Sequence, residues 1–461
     1  MAFNTLRFWL VFPVVFLIYW GGTSLFSRRK TEFQNLFLVI ASYVLYMCTR
    51  PAAALFLFGV TLVTYFGAVV VEKRPGKRTF MAVFLILSLL PLLLFKYWNF
   101  FVSPFKLPGL NWVVPLGISF FTLQAVGYLC DVNSGKIAAE RSFLDYSLFV
   151  CFFPQLVSGP ISKAADLLPQ LKEARAFRYD KAVDGLKWLV WGMFLKLFIA
   201  DRVGIYVDTV FDYPDGFNGA TMAVVILLFS IQIYCDFAGY SFMAVGVAKV
   251  LGVDLVYNFR RPYFSASVTE FWHRWHISLS RWLKDYIYIP LGGNRCSRIR
   301  NYFNIIVTFL VSGLWHGANI TFIVWGLIHG VVQVVEKAVG LARKNSTGIL
   351  KYVRILITFI LVVFAWVFFR SPSLPAAFKV IGKIFTEQGA PDIAVMGYIN
   401  LLLYVVGIGI LLFRDIRDEL GPGHWRLCDT KGFKWVFYVG IFCLTLAAGA
   451  LDSGQFIYAN F

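Results

Sequence analysis

Histidine changes protonation state near neutral pH, so proton-transfer chemistry is sought first where histidines gather. The chain has 461 residues and five histidines; four of them, His273, His276, His316 and His329, fall between positions 273 and 329, and His424 stands apart. His273 and His276 are three residues apart, a spacing that puts both on one face of a helix. A zinc site would need further ligands, and the nearby Glu270 and Asp285 do not complete an H-E-x-x-H pattern, so no metal is expected. His316 lies deep in the apolar run VSGLWHGANITFIVWGLIHG, closely flanked by Gly313 and Gly317. A buried neutral imidazole there suits general-base work, and the glycines leave room for another backbone or a thin substrate. The same residue can instead be a hydrogen-bonded packing histidine at a helix–helix contact. His329 follows thirteen residues later. That is about 220° around an ideal helix, which makes it a weaker partner for His316 if one straight helix carries both.

Other polar residues interrupt apolar stretches: Asp236 in IQIYCDFAGYS, Gln155 in CFFPQLVSGP, and Lys187 and Lys196. An ionisable group in a membrane segment marks either function or a charge partner; for Asp236 the expected structural partner is an arginine of the basic stretch described below. The seven cysteines form no CxxC pair. Cys48, Cys130, Cys151, Cys235 and Cys443 lie in or beside apolar runs and read as small buried residues, not a disulfide framework.

These residues must be positioned by elements suited to lipid. Hydrophobic residues make up 59% of the chain and charged residues 15%, against about 45–50% and about 25% in soluble domains. A water-soluble globule, a disordered chain and a disulfide scaffold are all excluded. Apolar runs recur at 7–26, 35–48, 52–71, 81–102, 112–130, 144–157, 183–207, 222–252, 302–340, 353–369, 398–413 and 435–451. They predict an all-α polytopic membrane protein of about 11 membrane segments in one domain spanning 1–461. The run at 144–157 contains Pro154 and is expected to be re-entrant, and 302–340 to divide in two. The first run precedes its basic residues and lacks a small-residue cleavage site, so it is not read as a signal peptide. Basic loops at Arg28–Lys30 and Lys73–Arg78 place the N-terminus outside by the positive-inside rule.

The segment 258–300 breaks the pattern, with eight basic residues, two acidic ones and three tryptophans. It cannot cross hydrocarbon alone. Ser267 with Glu270 forms a helix-start signature, and Trp272, Trp275, Leu279, Trp282 and Leu283 then follow helical spacing. From spacing alone this is an interfacial amphipathic helix. With 43 Lys+Arg against 25 Asp+Glu, the chain carries +18, which suits positive-inside loops and an anionic substrate.

TEFWHRWHISLSRWLKDYIYIPLGGNR followed by GLWHGANITFIVWGLIHG, with PLGISFFTLQAVGYLCDV, FPQLVSGPI and YCDFAGYSFMAVGVAKVLG, resembles the membrane-bound O-acyltransferase (MBOAT) family. The likeness is to its bacterial alginate O-acetyltransferase branch, with peptidoglycan- and cellulose-acetylating relatives. It covers most of the chain, and it is far more specific for the family than for the acceptor. The resemblance implies a ring of helices around a thin centre with a tunnel reached from both sides, in the bacterial inner membrane. It implies that His316 is the catalytic residue and His276 the second polar site. It further implies acetyl-CoA as donor substrate, with no permanently bound cofactor, a polysaccharide acceptor and a periplasmic Ser-His-Asp-type acetyltransferase partner.

A site open to both faces is what moving acetyl without moving CoA requires. CoA phosphates call for a basic mouth, so Arg274, Arg281 and Lys284, with Trp275, Trp315 and Asn319, are candidate substrate or CoA contacts. The chain ends in FIYANF at 456–461, similar to a terminal motif of related acyl-transfer systems whose tyrosine is proposed to carry the acyl group; here that is Tyr458. An interfacial aromatic anchor explains the same residues. The other functional readings are acyl transfer to lipid or protein, and a transporter using His276 and His316 as a proton relay. A transporter would be expected to show repeated halves, and none is visible.

Overall fold

The computed structural model describes residues 3, 5–48, 50–74, 76–341, 347–421, 428 and 430–450. His424 and the 456–461 motif with Tyr458 lie outside them. All regular structure among the described residues is helical. Among those residues, eight helices are long and apolar enough to cross a membrane: Arg7–Leu25, Ala53–Lys73, Arg78–Phe105, Gly219–Val250, Ile320–Ala338, Gly348–Arg370, Tyr398–Leu420 and Lys431–Ala448.

Several apolar runs are shortened or broken in the structure. The run at 112–130 yields only the 16-residue helix Ile118–Asn133, nearly all of it buried. The run at 144–157 breaks at Phe152 into helices Phe143–Cys151 and Phe153–Leu156. The run at 302–340 divides into helices Arg298–His316 and Ile320–Ala338. At the break, Phe152 is fully buried within protein, the setting in which irregular backbone can be satisfied. All seven cysteines are free. Cys151 and Cys235 are buried as expected, whereas Cys130 is half-buried and Cys48, at the end of helix Lys30–Met47, and Cys443 are exposed.

The chain packs as two compact units. One comprises Met1–Leu189 and Tyr240–Tyr257. Its helices satisfy polar side chains against their own backbone: Ser42, Thr61 and Thr64 each donate to the carbonyl four residues earlier, the economical choice in an apolar setting. Buried Arg175 gathers Tyr19, Gln34 and Asn35, and Asn35 in turn donates to Asp145. Buried Gln155 donates to the Phe149 carbonyl and accepts from Ser162.

The second unit comprises Val190–Gly239 and Asn258–Phe461 and carries all four clustered histidines. It is also where Asp236 finds its partner. Among the described residues its ion-pair partner is Lys196 rather than the arginine expected from the basic stretch: Lys196 donates to Asp236 and, at 2.6 Å, to Asp201. All three are buried to within 2% exposure. A buried charge is tolerated when paired and hydrogen-bonded, and Lys196 is held on a π-helical turn, Phe194–Ala200.

Candidate functional site

Glycines set how His316 is presented. A Cβ on Gly313 would lie 2.2 Å from the Phe322 carbonyl oxygen, and one on Gly326 would lie 2.3 Å from that of Phe309. Helices Arg298–His316 and Ile320–Ala338 therefore touch backbone to backbone, as small residues permit. Of the two occupants the sequence allows beside Gly313, the structure places another helix backbone there. The chain reverses at 317–319. There Asn319 accepts from Thr321 N–H at 3.1 Å and donates to the Pro372 carbonyl at 2.8 Å. Asn319 thus caps the returning helix.

The turn leaves His316 as the last residue of its helix, 1% exposed. Its ring meets Trp315 and Trp325, both with centroids 4.9 Å away, and Phe369 at 5.2 Å. His329 is on the other helix, so the single-helix argument against it does not apply. The reversal puts Trp325 between the two, 5.0 Å from His329. Trp272 Nε1–H donates to His329 Nδ1 at 3.3 Å, which leaves the His329 proton on Nε2.

His276 arrives from a different element. Ser267 caps helix Val268–Arg274 by accepting from Glu270 N–H at 3.0 Å, as the sequence predicts. The Glu270 carboxylate reaches back to Ala266 N–H, one residue before the expected Ser267. Glu336, from helix Ile320–Ala338, accepts from the N–H groups of Val268 and Thr269 at 2.6 and 2.9 Å. Two elements thus satisfy the start of this helix.

The single amphipathic helix expected over 268–283 is not formed. It breaks at Trp275–His276, and a second helix runs Ile277–Leu283. His276 sits at φ 42°, ψ 54°, a left-handed conformation that costs a non-glycine residue about 1–2 kcal/mol. His273 and His276 consequently do not share a face: His273 is exposed and His276 is fully buried. The His276 ring lies against Phe237 at 4.6 Å and Trp315 at 5.8 Å. Burial pushes its pKa down to about 3, so the imidazole is neutral at physiological pH. His276 and His316, forty residues apart in sequence, therefore share Trp315 as a common wall.

The remaining candidates divide by environment. Trp275 is fully buried, stacked on Phe271 at 5.4 Å and packed on Trp366 at 5.2 Å, and Trp315 is 7% exposed. Arg274 is engaged by carboxylates, at 2.6 Å from Glu270 and 2.8 Å from Glu419. Arg281 and Lys284 are exposed. Sequence reasoning does not single out Phe237, Trp325, Glu336 or Asn258, because each matters only through a contact with a distant segment. Two buried imidazoles walled by aromatic rings can accept a proton from a hydroxyl and orient a polar acyl group in a setting of low dielectric.

Comparison with known proteins bears on this arrangement. A family model described as MBOAT, membrane-bound O-acyltransferase family, matches residues 136–374, which include His276, His316 and His329. A probable alginate O-acetylase AlgI of Pseudomonas syringae pv. tomato is 36% identical over 439 residues, covering 91% of this chain and 82% of that protein. The corresponding AlgI of Pseudomonas aeruginosa is 37% identical, covering 90% and 80%. A peptidoglycan O-acetyltransferase of Helicobacter pylori is 37% identical, covering 83% and 79%.

Proposed function

Because the chain belongs to the membrane-bound O-acyltransferase family and is a multi-pass membrane acyltransferase, we propose that it takes acetyl from cytoplasmic acetyl-CoA and passes it across the bacterial inner membrane for O-acetylation of a cell-surface polysaccharide. The acceptor class rests on relatives named for alginate and peptidoglycan. The observation that carries the chemical reading is the convergence of His276 and His316 on Trp315, with both histidines buried in one unit.

In the proposed step, His316 takes the proton of an acceptor hydroxyl as that oxygen attacks the thioester carbonyl. The tetrahedral intermediate collapses, the C–S bond breaks, and the proton on His316 passes to the leaving thiolate, so CoA leaves as the free thiol. His276 orients the thioester or steadies charge on its oxygen. No permanently bound cofactor takes part. Tyr458, outside the described residues, is proposed as an acyl relay, and a periplasmic Ser-His-Asp-type acetyltransferase as the partner that completes transfer.

The test supplies radiolabelled acetyl-CoA to membranes holding the protein, with and without candidate partners. His316→Ala is expected to abolish CoA release and acetyl transfer while insertion and folding persist. Normal acetylation by a well-folded His316→Ala protein would overturn the reading.

A further inference from the structure

The residue at the start of helix Ile277–Leu283 is normally the one that caps it. Ser, Thr, Asp and Asn serve there because a short side chain folds back onto the first N–H groups. Here that position is His276, whose side chain makes no such bond because its ring is turned toward Phe237 and Trp315. The cap comes instead from eighteen residues earlier. The Asn258 carbonyl accepts from Ile277 N–H at 3.0 Å, and its side-chain Oδ1 accepts from Ser278 N–H at 3.1 Å. Two residues on, Arg260 N–H donates to the Arg274 carbonyl at 2.9 Å. The stretch of chain from 258 to 260 thus lies along the break and is bonded on both sides of His276. Asn258 itself is fully buried.

We propose that Asn258 is a positioning residue for the acyl-transfer site: by capping the helix that His276 begins, it holds His276 in its left-handed conformation and fixes the imidazole against Trp315. This rests on the reading of His276 as part of the site. The physical argument is one of substitution. Without an acceptor at Asn258, the buried Ser278 N–H loses the partner that satisfies it. A left-handed histidine persists only when its surroundings over-determine it. Relaxation toward ordinary helical φ would carry the ring away from Trp315.

The experiment uses the full chain in membranes, with turnover of radiolabelled acetyl-CoA measured for Asn258→Ala, Asn258→Asp, His276→Ala and the double variant Asn258→Ala/His276→Ala. Asn258→Ala is expected to lower kcat by about 10- to 100-fold, the scale of a misplaced reactive group, with KM for acetyl-CoA nearly unchanged. Asn258→Asp keeps the acceptor oxygen at a helix N-terminus that favours it, and is expected to retain most of kcat. In the His276→Ala background, Asn258→Ala is expected to add no further loss, since it acts through a ring already removed. Wild-type kcat in Asn258→Ala, an Asp variant no better than Ala, or losses that multiply in the double variant would each overturn the inference. If Asn258→Ala does not accumulate, Asn258→Asp decides: retained kcat supports the role, and a fall to the His276→Ala level overturns it. Wild-type kcat in His276→Ala itself would instead sink the site reading on which the inference rests.

Discussion

At the scale of single residues, His276 ties stability to pH. Its pKa is pushed down to about 3 by burial, whereas a solvated histidine titrates near 6.5. Between those values the unfolded chain binds a proton that the folded chain refuses. The stability held in a neutral His276 is therefore complete above about pH 6.5 and falls as pH drops, by about 1.4 kcal/mol per pH unit for one such group. The aromatic neighbours of the ring, Phe237 and Trp315, do not ionise in this range. His276→Asn is expected to flatten the acid limb of the melting-temperature profile between about pH 7 and pH 5, whereas substitution of the exposed His273 should leave it as in the parent. Equal slopes in parent and His276→Asn protein would contradict the assignment. The identity of His316 and His276 as candidates was legible in the sequence, through their clustering and the motifs around them. That they share Trp315, and that His329 shares Trp325 with His316, was not: the first contact depends on the 276 segment packing against helix Arg298–His316, the second on the chain reversal at 317–319.

At the scale of elements, the helix pair Arg298–His316 and Ile320–Ala338 depends on absent side chains. One methyl group on Gly326 would stand 2.3 Å from a backbone carbonyl oxygen, and backbone has nowhere to retreat in a packed pair. Gly326→Ala is expected to cost about 1–3 kcal/mol or more, seen as a lowered detergent melting temperature and loss of monodisperse protein. A Cβ on Gly382, in helix Leu374–Thr386, would meet nothing within 4 Å. Gly382→Ala is therefore expected to be neutral or to stabilise by up to about 1 kcal/mol through helix propensity. The reverse order would refute the close-approach argument. The Ser267–Glu270 start signal was readable because capping is local in sequence. The break at His276 was not, because apolar periodicity continues through it on both sides. What interrupts the helix is hydrogen bonding from Asn258 and Arg260.

At the scale of the whole molecule, the +18 charge is not one uniform resource. Within 258–300, Arg261 and Arg274 are both held by Glu419, whereas Arg260, Arg281, Lys284, Arg295, Arg298 and Arg300 are exposed. If that exposed set attracts CoA phosphates, the double variant Arg281→Ala/Lys284→Ala is expected to raise KM for acetyl-CoA about 3- to 10-fold at low ionic strength, with the gap closing in high salt as screening takes over. Arg274→Ala, by contrast, is expected to show itself as reduced thermal stability, since it leaves Glu419 and Glu270 short of a partner. A KM unchanged in the double variant, measured in low-salt buffer, would remove these side chains from donor binding.

Composition and apolar run lengths by themselves determined that this chain is an all-helical membrane protein, because transfer of so much apolar surface out of water leaves no other stable class. Ordered motifs determined the family and singled out His316 and His276. Tertiary structure alone decided which apolar runs are long membrane helices and which are buried fragments, that Asp236 pairs with Lys196, and that two histidines forty residues apart meet one tryptophan. The physical reason is range. Hydrophobicity, periodicity and capping act over a few neighbouring residues and are written in sequence order. Backbone contact through glycine, a cap supplied from Asn258 and the partner of a buried charge are set by what folding brings alongside.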